Sequence, residues 1–151
     1  MIVIRKFKES DAKNVSELIC ETFVKFVSKD FTKKGIKNFL KHEKPQNQIN
    51  RSKKRDSYVA LINNKIVGVI EAVSNDRISR LFINENYQKS GIGGSLVRKI
   101  ENTYKRSGLT VIKVKSSLNA QDFYLKMGYK KTRGIIKSKE GIIYQPMEKV
   151  L

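Results

Sequence analysis

The stretch Tyr87-Gln88-Lys89-Ser90-Gly91-Ile92-Gly93-Gly94-Ser95-Leu96 decides the fold, because it closes an apolar strand and opens an amphipathic helix. Its three glycines within four positions let a ligand approach the backbone closely. The first N–H groups of a helix lack partners inside the helix and lie at the positive end of its dipole. The stretch is therefore typical of an anion-binding turn, and a plain strand-to-helix connection is the alternative.

The rest of the chain alternates predicted strands and helices around this turn. Apolar or alternating runs predict strands at residues 2–7, 58–62, 65–74, 77–83 and 109–115, and two more near the C-terminus that join at Lys139-Glu140-Gly141. Apolar residues at three-and-four spacing predict helices over 11–26, 32–42, 92–107 and 120–127. We therefore expect a single α/β (α+β mixed) domain over residues 1–151, with a central mixed, mostly antiparallel sheet of about seven strands and helices on both faces.

Residues 43–56 separate the second predicted helix from the second strand. They contain one apolar side chain, a proline and many polar groups, which predicts a mobile loop that cannot fold onto a core. Their basic cluster, Arg51, Lys53, Lys54 and Arg55, has no interleaved aromatic residue for base stacking. A solvated run of charge is therefore predicted there, and an acidic ligand is the alternative.

Length and composition predict one cytoplasmic domain without a membrane segment. The chain has 151 residues and is 39% hydrophobic, which suits a single core of useful size. No apolar run approaches the roughly 20 residues that span a bilayer, and the N-terminus lacks the pattern of a signal peptide. Cys20 is the only cysteine, so no internal disulfide can form, in agreement with a reducing compartment.

The charge of the chain is strongly positive. Thirty-two Lys and Arg against fourteen Asp and Glu give a formal net charge of +18, and residues 25–55 carry half of it. Such a charge favours acidic partners, among them nucleic acid, a phosphorylated cofactor or an acidic substrate, although it also simply keeps a protein soluble. A basic nucleic-acid-binding module is therefore one alternative, but the chain has no recognition motif, stacking platform or zinc pattern, so nucleic acid is not the expected partner.

Two familiar phosphate-binding motifs do not fit the glycine turn. A P-loop requires Lys and then Ser or Thr after its second glycine, whereas Gly94 is followed by Ser95 and Leu96. A dinucleotide-binding fold requires a third glycine at position 96 and an acidic residue about 20 positions further on, where this chain has Val111 and Ile112.

A third pattern fits. Gln88-x-x-Gly91-x-Gly93, after a strand and at the start of a helix, resembles the acyl-CoA pyrophosphate motif Gln/Arg-x-x-Gly-x-Gly/Ala of the GNAT superfamily of N-acetyltransferases. The block from Ala120 to Tyr129, with its Phe123-Tyr124 pair and Gly128, resembles that family's late helix. The predicted order of elements is also the family's order. The resemblance thus covers essentially the whole chain and implies the acyl-CoA N-acyltransferase fold.

The resemblance implies acetyl-CoA as cosubstrate, with no metal. Backbone N–H groups from Lys89 to Gly94 would bind the pyrophosphate, and the main chain of residues 81–83 would pair with the pantetheine arm and offer an N–H to the thioester carbonyl. For Lys89 and Lys126 the alternative is an ordinary surface lysine, and for Asn119 it is a cap of the late helix. The cofactor-binding residues predicted in this way are Leu81, Phe82, Ile83, Gln88, Lys89, Ser90, Gly91, Ile92, Gly93, Gly94, Ser95, Asn119, Phe123 and Lys126.

Direct acetyl transfer to an amine requires a neutral amine, a stabilised oxyanion and a proton for the leaving thiolate. Tyr124 matches the family position that donates this proton, and a phenol near its normal pKa suits the role; a core-packing tyrosine is the alternative. Glu71 is the candidate base, because it is the one acid inside the apolar strand from Val67 to Val73 and would need a partner or a raised pKa there. A solvated Glu71, with water-mediated deprotonation of the amine, is the alternative.

The sequence therefore predicts an acetyl-CoA-dependent N-acetyltransferase that acts on a primary amine of a small molecule or peptide. A CoA-binding sensor that has lost catalysis is a further alternative. The positive charge disfavours cationic acceptors such as polyamines. The sequence leaves the oligomeric state open. A homodimer is one option, because the last strands of such folds often pair between subunits.

Overall fold

The computed structural model describes all 151 residues. Its helices are α1 Ala12–Thr22, α2 Lys33–Lys41, α3 Pro45–Ser52, α4 Ile92–Arg106 and α5 Gln121–Lys126. Its strands are β1 Ile2–Lys6, β2 Arg55–Ile62, β3 Lys65–Val73, β4 Arg77–Ile83, β5 Val111–Ser116, β6 Lys130–Lys131, β7 Ile136–Lys137 and β8 Ile143–Val150. None of the five helices combines the length and the hydrophobicity that a membrane-spanning helix requires.

The strands form one mixed sheet in the order β1-β2-β3-β4-β5-β8-β6, with β7 also paired to β8. Every pair is antiparallel except β4 and β5, which α4 connects as a crossover. The predicted mixed, mostly antiparallel sheet is confirmed. It has eight strands because the penultimate predicted strand is split into the short β6 and β7.

Each face of the sheet is covered by helices. One face packs against α4 and α5 through a large apolar core that includes Ile70, Leu96, Ile100 and Ile112. The other face packs against α1 through a smaller core around Ile19 and Val59, which α2 joins through Phe39. Alternation along each strand sends successive side chains to opposite faces. The two faces are called below the α4 face and the α1 face.

The local turns follow the expected chemistry. Asn63 and Asn64 both have positive φ in the turn between β2 and β3, as a two-residue hairpin requires. The Thr32 hydroxyl accepts a hydrogen bond from the Gly35 N–H, 3.0 Å long, and so caps α2. Gly108 ends α4 in the left-handed conformation.

The predicted mobile loop at residues 43–56 is wrong. Pro45 opens α3, where its fixed φ and missing N–H cost nothing, and the buried side chains of Glu43 and Gln48 turn towards the sheet. Arg51 also turns inward, with only 14% of its side chain exposed, so the prediction of a solvated charge run fails for it. Only Lys53 and Lys54 of the basic cluster are exposed. The polar residues fold onto the sheet because opposite charges there neutralise one another.

Candidate functional site

The sheet opens between β4 and β5. Their parallel pairing is confined to residues 77–78 of β4 and 113–114 of β5, although both strands continue. In its pairing with β3, β4 carries Ser79 as an extra residue, which forms a bulge. A bulge bends its strand and interrupts the ladder. From Ser79 onward, β4 therefore presents one free backbone edge to a cleft.

The predicted pantetheine segment lies on this free edge. Leu81 and Ile83 point to the α4 face and Phe82 to the α1 face, so the cleft receives mainly their main chain. The Gln88 side chain donates a hydrogen bond to the Ile83 carbonyl, 3.1 Å long. Gln88 thus fastens the glycine turn to the end of β4.

The glycine turn leads the chain from β4 into α4. Lys89 has φ +62° and Gly91 has φ +87°, and Gly91 precedes the first residue of α4. None of the backbone N–H groups from Lys89 to Gly94 donates a hydrogen bond within the chain. Left-handed residues in such a turn bring successive N–H groups together into an anion-binding concavity. With the dipole of α4 behind it, this concavity suits a phosphate group.

Three exposed cations lie on the turn or on the helices that adjoin it. Lys89 lies in the turn and Lys126 in the last turn of α5, and neither has a carboxylate partner. The third, Arg98, is not among the residues predicted from the sequence, and its guanidinium lies 3.2 Å from where a Cβ on Gly94 would be. Arg98 also donates a long hydrogen bond of 3.4 Å to the Ser95 hydroxyl. The sequence could have indicated Arg98, because it follows Gly94 by four residues and residues i and i+4 share a helix face.

Gly93 lets the start of α4 approach α5. A Cβ there would lie 3.2 Å from the Phe123 ring, a contact tight enough to displace the neighbour. Phe123 therefore packs against the turn, with its ring edge-to-face against Tyr124 at 5.0 Å. A cap of α5 was the alternative role for Asn119, but the structure does not show this cap. Asn119 is exposed and accepts a 2.7 Å hydrogen bond from the Ser117 hydroxyl.

Tyr124 is buried on α5, with 3% of its surface exposed. Its hydroxyl makes no hydrogen bond within the chain, unlike those of Tyr104 and Tyr129, which donate to Asp56 and Glu101. Burial raises the pKa of Tyr124 well above that of a phenol in water. The expectation of a phenol near its normal pKa is therefore wrong, and Tyr124 keeps its proton throughout the neutral range.

Glu71 lies buried on the α1 face of β3, and the alternative of a solvated carboxylate is excluded. Its oxygens accept hydrogen bonds from Arg51 at 2.9 Å, Arg55 at 2.7 Å and Arg80 at 3.4 Å. Arg51 and Arg80 also bind Glu43, which is fully buried. These five residues, Glu43, Arg51, Arg55, Glu71 and Arg80, are called below the guanidinium cluster.

A segment of the first third of the chain crosses the α1 face over the cleft. On the β4 side, Lys25 pairs with Glu85 and the Phe39 ring lies 6.1 Å from that of Phe82. On the other side, the π-helical turn at residues 23–27 touches the turn that follows β5, and the Thr32 N–H binds the Gly141 carbonyl at 3.3 Å. This segment, residues 23–41, thus roofs the cleft on the α1 face. No group of three or more His, Cys, Asp or Glu side chains is arranged to hold a metal ion.

An open parallel pair with an anion-binding turn at its mouth defines a class of proteins that bind an extended, phosphorylated cofactor between two strands. The family model described as "Acetyltransferase (GNAT) domain" matches residues 20–151. The chain therefore belongs to the GNAT family of acetyltransferases. Among curated proteins, no sequence matches it.

Solved structures agree in fold. A GCN5-related N-acetyltransferase from Rhodopseudomonas palustris is 18% identical with a TM-score of 0.85, covering 99% of this chain and 95% of its own. The PaiA N-acetyltransferase from Thermoplasma acidophilum, solved in complex with coenzyme A, is 20% identical with a TM-score of 0.82, covering 100% and 99%. An aminoglycoside 6'-acetyltransferase type Ii is 19% identical with a TM-score of 0.72, covering 98% and 96%.

Proposed function

We propose that this protein transfers the acetyl group of acetyl-CoA directly to a primary amine of a small molecule or peptide. The observation that carries the proposal is the cleft between β4 and β5, with the unpaired N–H groups of the glycine turn at its mouth. Membership of the GNAT family supports the acetyl donor. A catalytically inactive CoA-binding sensor would bind the same cofactor and release no thiol.

In this proposal the glycine turn holds the pyrophosphate of acetyl-CoA. The N–H groups from Lys89 to Gly94 would donate to phosphate oxygens, and the cations Lys89, Arg98 and Lys126 would add charge around them. The pantetheine arm would follow the free edge of residues 79–83, so that the thioester reaches the apex of the cleft near Ser79. A backbone N–H on this edge would polarise the thioester carbonyl.

Tyr124 would then donate a hydrogen bond to the leaving thiolate. Its unpaired hydroxyl and its raised pKa support a donor that never ionises near neutral pH. A thiol is a stronger acid than such a phenol. Tyr124 would therefore stabilise the thiolate by hydrogen bonding, and solvent would supply the proton that finally neutralises it.

Glu71 is the less direct part of the mechanism. Its carboxylate forms ion pairs with guanidinium groups from three residues, Arg51, Arg55 and Arg80. Both of its oxygens accept hydrogen bonds from these arginines, so the carboxylate holds them in place. We therefore propose that the amine loses its proton to water and that Glu71 acts by positioning Arg80 on the cleft.

Gly93→Asp tests the cofactor site. The new side chain would press on the Phe123 ring and bring a negative charge beside the N–H groups proposed to bind the pyrophosphate. An acidic side chain in the first turn of a helix is otherwise favourable. We expect isothermal titration to show at least a hundredfold weaker acetyl-CoA binding, about 3 kcal/mol, the size of a few lost charge-assisted hydrogen bonds.

Asn102→Asp is the matched control, because it makes the same charge change on the exposed side of α4, roughly 13 Å further along the helix. It should bind acetyl-CoA as tightly as the unaltered protein. Unchanged affinity in a folded Gly93→Asp protein would refute the site. Tight binding without thiol release on any amine would favour the sensor.

A further inference from the structure

Resting on the proposed function, we infer that the amine acceptor also carries a carboxylate or another anionic group, and that Arg80 binds it. The inference rests on the position of Arg80, where the guanidinium cluster adjoins the cleft. Arg80 is the first residue of β4 after the bulge at Ser79, so its side chain rises from the point where β4 leaves β5.

The guanidinium cluster holds more positive than negative charge. Three guanidinium groups face two carboxylates, and both carboxylates are already bound by several of them. The side chains are largely removed from water, with 14% of Arg51, 28% of Arg55 and 16% of Arg80 exposed. An uncompensated charge in such surroundings raises the free energy of the folded protein. An anionic ligand would neutralise it.

Arg80 is the member of the cluster that can reach such a ligand at the cleft. Its Nε binds Glu43 and its Nη1 binds Glu71, whereas its Nη2 makes no hydrogen bond within the chain. The guanidinium also lies 5.8 Å from the centre of the Phe39 ring, on the segment that roofs the cleft. Arg80 is thus held from two sides, and its remaining N–H groups stay free for a ligand. By contrast, Arg51 uses all three nitrogens on protein acceptors.

The opposite side of the cleft carries a second cation. Lys115 is the first residue of β5 beyond the last one paired with β4. Its neighbours Val114 and Ser116 are buried on the α4 face. Alternation along the strand therefore places the exposed Lys115 on the α1 face, the same face as Arg80. The Lys115 ammonium lies 5.2 Å from the centre of the Tyr144 ring.

The second substrate must approach from this α1 face. The α4 face of the cleft is closed by the apolar core with Tyr124, and the cofactor phosphates would occupy the mouth at the start of α4. An acceptor entering below residues 23–41 would meet Arg80 and Lys115 before its amine reaches the thioester. Two cations at this entrance attract an anionic group and repel a polyamine.

Matched pairs of amines test the substrate class. The probes are α-amino acids, β- and γ-amino acids and dipeptides with free carboxylates, each assayed beside its own primary amide by thiol release from acetyl-CoA. We expect kcat/KM to favour the acid of at least one pair by about tenfold to a hundredfold, the contribution of one charge-assisted hydrogen bond. The amino group of each amide probe is less basic than that of its acid, so more of it is neutral and ready to react. This difference in basicity favours the amide and works against the expected preference for the acid.

Arg80→Gln tests the residue. We expect KM for the preferred acid to rise by about tenfold or more, the preference over the amide to vanish, and the affinity for acetyl-CoA to stay unchanged. Arg77→Gln is the control, because it removes the same charge from the same strand before the cleft begins and should keep the preference. Arg80→Lys keeps the charge without the planar guanidinium, so its preference for the acid should lie between those of Arg80→Gln and Arg77→Gln. This variant also provides a test if Arg80→Gln fails to fold.

Two results separate this inference from the proposed function. If acetyl-CoA binds but acids are acetylated no better than their amides, or not at all, the inferred substrate class is wrong. If a folded Arg80→Gln protein keeps the preference, Arg80 is not the recognition residue. Absence of acetyl-CoA binding by the unaltered protein would instead refute the proposed function, and this inference with it.

Discussion

At the scale of single residues, Tyr124 illustrates how burial changes a side chain that the sequence identifies correctly. The Phe-Tyr pair in the late helix points to this tyrosine, but its protonation depends on the core that surrounds it. Desolvation disfavours the phenolate, and no cation of the chain lies close enough to offset it. A hydroxyl that stays protonated can serve as a hydrogen-bond donor over the whole working pH range.

Tyr124→Phe should therefore lower kcat and leave cofactor binding intact. We expect a decrease of about a hundredfold, the size of the loss when one hydrogen-bond donor to a developing negative charge is removed. Steady-state thiol release would measure kcat, and isothermal titration would measure acetyl-CoA affinity. Tyr58→Phe removes the hydroxyl of another tyrosine of the α4 face core and should have no such effect. An unchanged kcat in Tyr124→Phe would remove this tyrosine from the mechanism.

At the scale of elements, the packing of α2 against the turn between β7 and β8 holds the roof over the cleft. A Cβ on Gly35 would lie 2.3 Å from the Gly141 carbonyl oxygen, and a Cβ on Gly141 would lie 1.8 Å from the Thr32 hydroxyl oxygen. No side chain fits between these backbones. The contact joins two elements that are more than a hundred residues apart in the chain.

Gly141→Ala should disrupt this contact. It combines the strain of a left-handed alanine, about 1 kcal/mol, with loss of the Thr32 cap, about 1 kcal/mol. We expect urea unfolding to show a stability loss of about 2 kcal/mol. Gly108→Ala is the control, since Gly108 also has a positive φ but a Cβ there would meet nothing within 4 Å, so it should lose only the strain. Equal losses in the two variants would contradict the proposed role of the contact.

The segment at residues 43–56 shows the limit of pattern reading for elements. Glu43, Gln48 and Arg51 are polar, so their sequence predicts solvent exposure, yet all three turn inward. Their partners Glu71 and Arg80 lie on β3 and β4, up to 37 residues away. Burial of a charge depends on an opposite charge being nearby in space, and sequence distance gives no information about that.

At the scale of the whole molecule, three buried tyrosines predict how stability depends on alkaline pH. Burial raises the pKa of Tyr104, Tyr124 and Tyr129, and carboxylates beside Tyr104 and Tyr129 raise it further. The folded state therefore binds these phenolic protons more tightly than the unfolded state does. The contribution to stability is complete below a pH of about 10, where unfolded phenols ionise, and is lost as the pH rises further.

The free energy of unfolding should therefore fall above a pH of about 10, by up to roughly 1.4 kcal/mol per pH unit for each such tyrosine. Urea unfolding at several pH values would measure it. Tyr104→Phe should show a shallower fall than the unaltered protein, which separates the tyrosines from the many lysines that titrate in the same range. Tyrosinate absorbance from all six tyrosines without loss of circular dichroism would contradict the prediction.

The sequence by itself determined the family, the order of most elements and the glycine turn, because these depend on local patterns of glycine, apolar spacing and turn residues. Only the tertiary structure decided the environment of Tyr124, the place of Arg98, the helix at residues 45–52 and the guanidinium cluster. Those features depend on burial and on charges brought together by the sheet. The sites proposed for the acetyl donor and for the amine acceptor differ in the same way. The glycine turn, proposed for the donor, is a local motif. Arg80, proposed for the acceptor, acquires its role from the bulge beside it and from glutamates on other elements.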